Sequence, residues 1–200
     1  MTKCFVFDLD GVIRHWDPAI VRDAEARNGL PEGELLGTAF EPELLLSVIT
    51  GDISDAEWRS RVIEILAEQY PDSQPAKAVA EWSAPVGEVI AGARESIDAV
   101  RSVGKVALLT NATDRLRPDL EELGLIDSFD YIFNSSEIGY AKPDPRVFAH
   151  VERVMQAQPA AIVFVDDSAT NVDTAASRGW TALLATPETR LLDLLNPFLQ

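Results

Sequence analysis

The sequence predicts an α/β protein: a parallel β-sheet covered by helices on both faces, with a helical module inserted near its start. Three observations carry this. Short apolar runs recur along the chain with helical periodicity between them, the alternation that builds parallel sheets. All but one of these runs are continuously apolar rather than alternating, as strands covered on both faces require. Between His15 and Ala84, in contrast, there is no convincing strand, and the pattern is helical throughout.

Taken in order, the first strand is predicted at Cys4–Phe7. The inserted module reads as helices over Ala19–Arg27, Glu34–Gly37, Pro42–Ile49, Asp55–Tyr70 and Lys77–Trp82. In the fourth, Ser54 and Glu57 have capping-box spacing, and Trp58, Val62, Ile65 and Leu66 form one face. Pro18, Pro85 and Gly87 punctuate the module, which places hinges near Ile13–Asp17 and Ala84–Gly87. The expected organisation is therefore a core of residues 1–14 and 86–200 and a helical module of residues 15–85. After the module, a helix is expected from about Val86 to Val103, with Val86, Val89, Ile90, Ala93, Ile97 and Val100 on one stripe. Strands follow at Val106–Leu109, Tyr131–Phe133, Ile162–Val165 and Thr181–Ala185. Helices over about Asp114–Leu123, Arg146–Met155, Asn171–Arg178 and Thr189–Leu195 separate or follow them, the third stopping at Gly179.

Composition narrows the function classes. The chain has 200 residues, 46% of them hydrophobic and 25% charged, which excludes a largely disordered chain. A chain of this length buries roughly 70% of its unfolded surface, so it needs no staple to fold. Cys4 is the single cysteine, so no internal disulfide forms. Lys and Arg number 17 against 33 Asp and Glu, a net charge of −16 that argues against nucleic acid or an anionic membrane as partner. No apolar run approaches the roughly 20 residues needed to span a bilayer. The apolar stretch near the N-terminus is too short for a signal peptide, so the expected location is the cytoplasm. An anionic substrate would need a strongly compensated local site.

Four short segments carry chemistry, each just past a predicted strand, where open parallel sheets build their sites. In Phe7-Asp8-Leu9-Asp10-Gly11-Val12, the two carboxylates are two residues apart and point the same way in an extended segment. Such a pair calls for a cation or a proton, and Mg²⁺ suits its oxygen donors. A calcium loop fails, because Val12 occupies the third ligand position and Ile13 the place of the glycine. Thr110 and Asn111 offer a hydroxyl and an amide to a phosphate oxygen, or serve as helix caps. Lys142 precedes Pro143, and Asp144-Pro145 reads as N-cap and first helical position, setting a point charge beside a helix start. Asp166 and Asp167 end an apolar strand and need a metal or Lys142 to neutralise them. Ser168 or Asn171 reads as the cap of the following helix.

Asp8-Leu9-Asp10-Gly11-Val12, Leu109-Thr110-Asn111, Ala141-Lys142-Pro143 and Val165-Asp166-Asp167-Ser168 resemble, in that order, the four motifs of the haloacid dehalogenase-like hydrolase superfamily. The resemblance extends over nearly the whole chain and includes a helical cap after the first motif. It implies a Rossmann-like core and, from the paired acids of the last motif, a subgroup composed mostly of small-molecule phosphatases. By the same resemblance Asp8 is the nucleophile that forms an aspartyl-phosphate, and Asp10 is the general acid and base. Mg²⁺ would be held by Asp8, Asp10 (through its carbonyl) and Asp167, with Asp166 behind them, acting through water or Lys142. Thr110, Asn111 and Lys142 would bind the transferring phosphoryl group. The expected partner is a small-molecule phosphoester, a sugar phosphate among the possibilities.

Three alternative readings differ in the residues they require. A sugar-phosphate mutase shares the first motif; no clear second phosphate site is visible, although Arg14, His15 and Arg22 lie near the hinge. A 2-haloacid dehalogenase lacks the second acid of the first motif, here present as Asp10, and needs no metal ligands. A non-catalytic phosphate-binding regulator would not need the full set of side chains. Trp16 is a candidate substrate contact, with packing between cap and core as the alternative. Cys4 reads as a buried small hydrophobe, and His150 as a packing or surface residue.

Overall fold

The structure, a computed structural model, describes residues 2–199. Its first strand, β1 (Lys3–Phe7), has Phe5, Val6 and Phe7 fully buried. A two-residue strand, β2 (Arg14–His15), leads into five helices: α1 (Pro18–Arg27), α2 (Glu34–Ala39), α3 (Pro42–Ile49), α4 (Asp55–Gln69) and α5 (Pro75–Ser83). The chain returns through β3 (Glu88–Val89), which pairs antiparallel with β2, so the helices connect to the rest through a narrow ribbon. Next come α6 (Ala93–Arg101), β4 (Gly104–Thr110), α7 (Leu116–Glu122), β5 (Tyr131–Asn134), α8 (Ser135–Ile138) and α9 (Pro145–Met155). The last elements are β6 (Ile162–Asp166), α10 (Ala169–Ser177), β7 (Thr181–Leu184) and α11 (Leu191–Leu195).

Five strands form one parallel sheet in the order β5-β4-β1-β6-β7. The predicted α/β class and all five of its predicted strands are present. Register sets Phe7 beside both Leu108 and Val165, so the segments that follow β1, β4 and β6 emerge on one edge. Alternate residues serve opposite faces, as the pleat requires. Phe5 and Phe7 join Val106, Leu108, Val163 and Val165 in one apolar cluster, which includes Ile97 and Val100 of α6 and Leu195 of α11. Cys4 and Val6 join Ala107, Leu109, Ile162 and Phe164 in a second, with Val147, Phe148 and Val151 of α9 and Ala175 of α10. There Phe148, Phe164 and Trp180 pack edge to face at 5.4 to 5.8 Å. A third cluster, including Leu35, Val48, Trp58, Val62 and Leu66, is drawn from α2 to α5 and the loop residue Leu30, with Val21 of α1 packed against it.

The expected long helix at Val86–Val103 is corrected: only Ala93–Arg101 is helical. Gly87 and Gly92 both take φ of 81°, a left-handed conformation that stops helix propagation. Val89 lies in β3 and the Ile90 N–H donates to the Ile13 carbonyl at 2.7 Å, so the apolar spacing there belongs to the returning ribbon. The short helix α8 is not anticipated by the sequence; the Asn134 side chain caps it and Gly139, at φ 83°, ends it.

Candidate functional site

The Asp8 N–H continues the sheet ladder to the Val165 carbonyl at 2.9 Å, which fixes the residue at the end of β1. Its Oδ1 accepts from the Leu9 N–H at 2.7 Å and lies 2.8 Å from Lys142 Nζ. Among the described residues, Oδ2 has no hydrogen-bond partner. Lys142 Nζ also donates to Asp166 Oδ2 at 2.6 Å, so one buried ammonium bridges two carboxylates from opposite ends of the chain. The Lys142 backbone is held on both sides by one side chain. Its N–H donates to Asn111 Oδ1, and Asn111 Nδ2 donates to its carbonyl, both at 2.8 Å. The amide of Asn111 is thus committed to the lysine loop. Thr110, the last residue of β4, is buried beside it. Asp144 accepts from the Arg146 N–H and Pro145 opens α9, as the sequence predicts.

Asp166 is wholly buried, and Ser168 N–H and Asn171 Nδ2 donate to it at 2.8 and 3.0 Å. Ser168 does occupy the N-cap position of α10, but without a side-chain capping bond. The expected capping role therefore gives way to another: both residues help to orient Asp166. Asp167 is more exposed, and ligand atoms of Asp8, Asp166 and Asp167 all lie within 4.8 Å of one another. Gly11 packs against it; at φ 79° a Cβ there would lie 2.1 Å from Asp167 Oδ2, so only glycine lets the acidic loop approach so closely.

The electrostatics are those of a site short of positive charge. Burial pushes the Asp8 carboxyl up to about 7, against the pull of Lys142 and with the push of Asp166. Asp167 is raised as well, by burial and by the charge of Asp166. Burial works to lower Lys142, but Asp8 and Asp166 outweigh it and hold the ammonium above its ordinary range. Three carboxylates share one ammonium, and all their donor atoms are oxygen. A hard divalent cation fits that donor set.

Asp10 turns elsewhere. Its carboxylate accepts from Arg14 Nε at 2.7 Å, Arg14 Nη2 at 3.0 Å and Trp16 Nε1 at 2.8 Å. Arg14 is buried, its Nη1 reaching the Val86 carbonyl at 3.2 Å and Asp119 at 3.5 Å, and its guanidinium lies 4.6 Å from the centre of the Trp16 ring. Sequence reasoning missed this hold on Asp10, because a turn over residues 11–13, not a helix, brings Arg14 back beside it. The other two candidates for a second phosphate are exposed, with His15 Nε2 3.7 Å from Glu88 and Arg22 Nε 3.9 Å from Asp23, and neither lines the cavity at Asp10. Asp10, Arg14 and Trp16 line a cavity of about 400 Å³ whose walls also carry Asn111, Thr113 and Arg115 and residues of α1 to α5.

The model of the haloacid dehalogenase-like hydrolase family matches residues 2–179. The chain is 34% identical over 104 residues to haloacid dehalogenase-like hydrolase domain-containing protein 3 of Bos taurus, a match covering 48% of this chain and 41% of that protein. The chain thus spans about two fifths of the length of that curated relative. It is 27% identical to the phosphoglycolate phosphatase of Chromobacterium violaceum over 90% of this chain and 83% of that one. Among solved structures, a HAD family enzyme of Bacteroides thetaiotaomicron superposes with a TM-score of 0.81 at 21% identity, covering 97% and 98% of the two chains. That enzyme is also known as a complex with magnesium and inorganic phosphate. L-2-haloacid dehalogenase of Xanthobacter autotrophicus superposes with a TM-score of 0.66 at 25% identity, covering 90% and 76%.

Proposed function

The chain belongs to the haloacid dehalogenase-like hydrolases, and on that premise we propose that it is a Mg²⁺-dependent phosphatase of a small phosphorylated metabolite. The observation that supports this most is the meeting of Asp8, Asp166 and Asp167 within 4.8 Å of one another, with a single lysine bridging the first two, an arrangement with more negative charge than the protein neutralises. Asp8, Asp167 and the Asp10 carbonyl would hold the ion, with Asp166 behind them, its oxygens accepting from Lys142, Asn171 and the Ser168 N–H. When bound, Mg²⁺ supplies positive potential that screens the phosphoryl oxygens from this acidic chain.

In this reading Asp8 Oδ1 is the anchored oxygen and Oδ2 the attacking one. Oδ2 forms a bond to phosphorus as the bond to the ester oxygen breaks, leaving an aspartyl-phosphate. Asp10 gives a proton to the departing alcohol. It then takes one from the water that attacks phosphorus and frees Asp8 and inorganic phosphate. Arg14 and Trp16 orient the Asp10 carboxylate for both transfers. Lys142, with Thr110 at the adjacent strand end, binds the transferring oxygens, and Asn111 fixes the lysine loop. Residues 15–85 act as a cap over the core formed by residues 1–14 and 86–200, excluding bulk water. Arg14 is engaged by Asp10 and Asp119, and His15 and Arg22 are not among the residues lining the cavity at Asp10, which favours hydrolysis over phosphoryl transfer to a sugar. The cytoplasm is the proposed location; among the described residues no helix is long and apolar enough to cross a membrane.

Hydrolysis of p-nitrophenyl phosphate tests the reading. Turnover should require Mg²⁺, stop with EDTA and vanish in Asp8→Asn. Metal-independent chloride release from 2-chloropropionate, without phosphate release from any monoester, would overturn it in favour of attack at carbon.

A further inference from the structure

The cavity that begins at Asp10 is built of hydrocarbon. Val21, Leu36, Phe40, Leu45, Trp58 and Trp82 supply its helical wall. Three of these form an aromatic group packed edge to face: Trp58 and Trp82 lie 5.5 Å apart, and Phe40 lies 6.3 and 6.5 Å from them. Trp58 is buried and its indole N–H donates to the Ala39 carbonyl at 3.0 Å, so it offers the cavity only its ring. Phe40 lines the cavity and is 48% exposed, so its ring is open to a ligand of matching character.

Most of the polar groups on the wall are already engaged, although Asp55 Oδ2 lies beside Arg59 without a hydrogen bond. Arg14 is held by Asp10 and Asp119, and Arg115 by the Ser83 carbonyl and Asp119. Asp55 pairs with Arg59 and accepts from the Thr113 hydroxyl, and Asp17 accepts from the Ala19 N–H. Arg59 donates to the Ser83 hydroxyl, and Asn111 clasps Lys142. A sugar entering here would bury several hydroxyls with few free partners, each at a cost of about 1–3 kcal/mol on mutational scales. An alkyl or aryl group would bury only apolar surface against apolar surface.

We propose that this cavity receives the leaving group and selects phosphate monoesters of apolar alcohols over those of sugars and other polyols. The assignment rests on the phosphatase reading for its chemistry, while the cavity's own preference can be measured without turnover. Alkylphosphonates from methyl to hexyl, which are not hydrolysed, are titrated against the full chain and followed by tryptophan fluorescence and calorimetry. The dissociation constant should fall about fourfold for each added methylene until the cavity is filled. In Phe40→Ser, with its fold checked by circular dichroism, the gain per methylene should shrink. A dissociation constant independent of chain length would overturn the proposal. In the catalytic arm, hexyl phosphate and a hexitol phosphate are compared at equal carbon count. A kcat/KM for the hexyl ester higher by about tenfold or more is expected, and preference for the hexitol ester would also overturn it. If no monoester at all is turned over, p-nitrophenyl phosphate included, the phosphatase reading falls, and the phosphonate series still decides what the cavity binds.

Discussion

Arg14 presents two parallel N–H groups to one carboxylate, a fork that lysine cannot reproduce. In Arg14→Lys the Asp10 carboxylate loses one of its anchors, and a displacement of about 1 Å costs up to roughly 100-fold in rate. We expect kcat on p-nitrophenyl phosphate to fall about 10- to 100-fold, with KM changed much less and the pH–rate profile altered. A variant that melts earlier but keeps kcat and its pH profile would make Arg14 a purely structural residue. The contrast between Asp10 and its holder marks what is legible at this scale. Asp8, Asp10, Lys142, Asp166 and Asp167 stand out because each follows a strand end or precedes a helix start, a local signal. The Asp119 contact with Arg14 spans more than a hundred residues and leaves no trace in local pattern. Asn171 shows the related limit: five residues past the end of β6, it reads as a cap, and only the fold turns it toward Asp166.

At the scale of elements, α9 and α10 are joined by one carboxylate. Glu152 accepts from Arg178 Nε and Nη2 at 3.0 and 2.7 Å and from Trp180 Nε1 at 2.9 Å. Burial pushes this carboxyl up, but the bonds from Arg178 and Trp180, with the charge of Arg178, outweigh it and hold it below the ordinary glutamate range. A depressed acid stabilises the fold fully above its unfolded pKa, and that contribution is lost as pH falls through the folded value. Glu152→Gln should therefore cost about 1 kcal/mol of unfolding free energy at neutral pH. The gap to the wild type should close below the ordinary glutamate range, as read by urea unfolding across pH. A gap of constant size down to acid pH would mean that shape, not charge, does the joining. Strands were the most legible elements because continuous apolar runs of four to six residues have few other uses in a sheet buried on both faces. Helix ends were less so. Val86, Val89 and Ile90 fall in step with the stripe of α6, yet two left-handed glycines place them in the ribbon.

For the molecule as a whole, that ribbon is where the five helices join the sheet. Gly87 sits on it at φ 81°, and a Cβ there would lie 2.9 Å from Arg14 Cγ, Arg14 Cδ and the His15 carbonyl oxygen. Gly87→Ala should cost about 1 kcal/mol or more in stability, since alanine is strained at positive φ. It should also lower kcat by pushing on Arg14, a substitution remote from phosphorus acting through the hold on Asp10. Stability loss measured by thermal unfolding with kcat unchanged would separate the ribbon from the chemistry.

The place of β1 has a further consequence, for the order in which the molecule is assembled. It is the middle strand, yet its two neighbours begin at Gly104 and Ile162. During synthesis at ~5–20 residues per second, the segment Phe5-Val6-Phe7 waits roughly 8–30 s for its second neighbour. Until then one side of its backbone has no strand of its own chain to bond, and a nascent chain is open to bonding with another. The part of the sheet that becomes best protected is therefore the part left unguarded longest on the ribosome, and a message truncated before the codon for Ile162 should yield aggregating product.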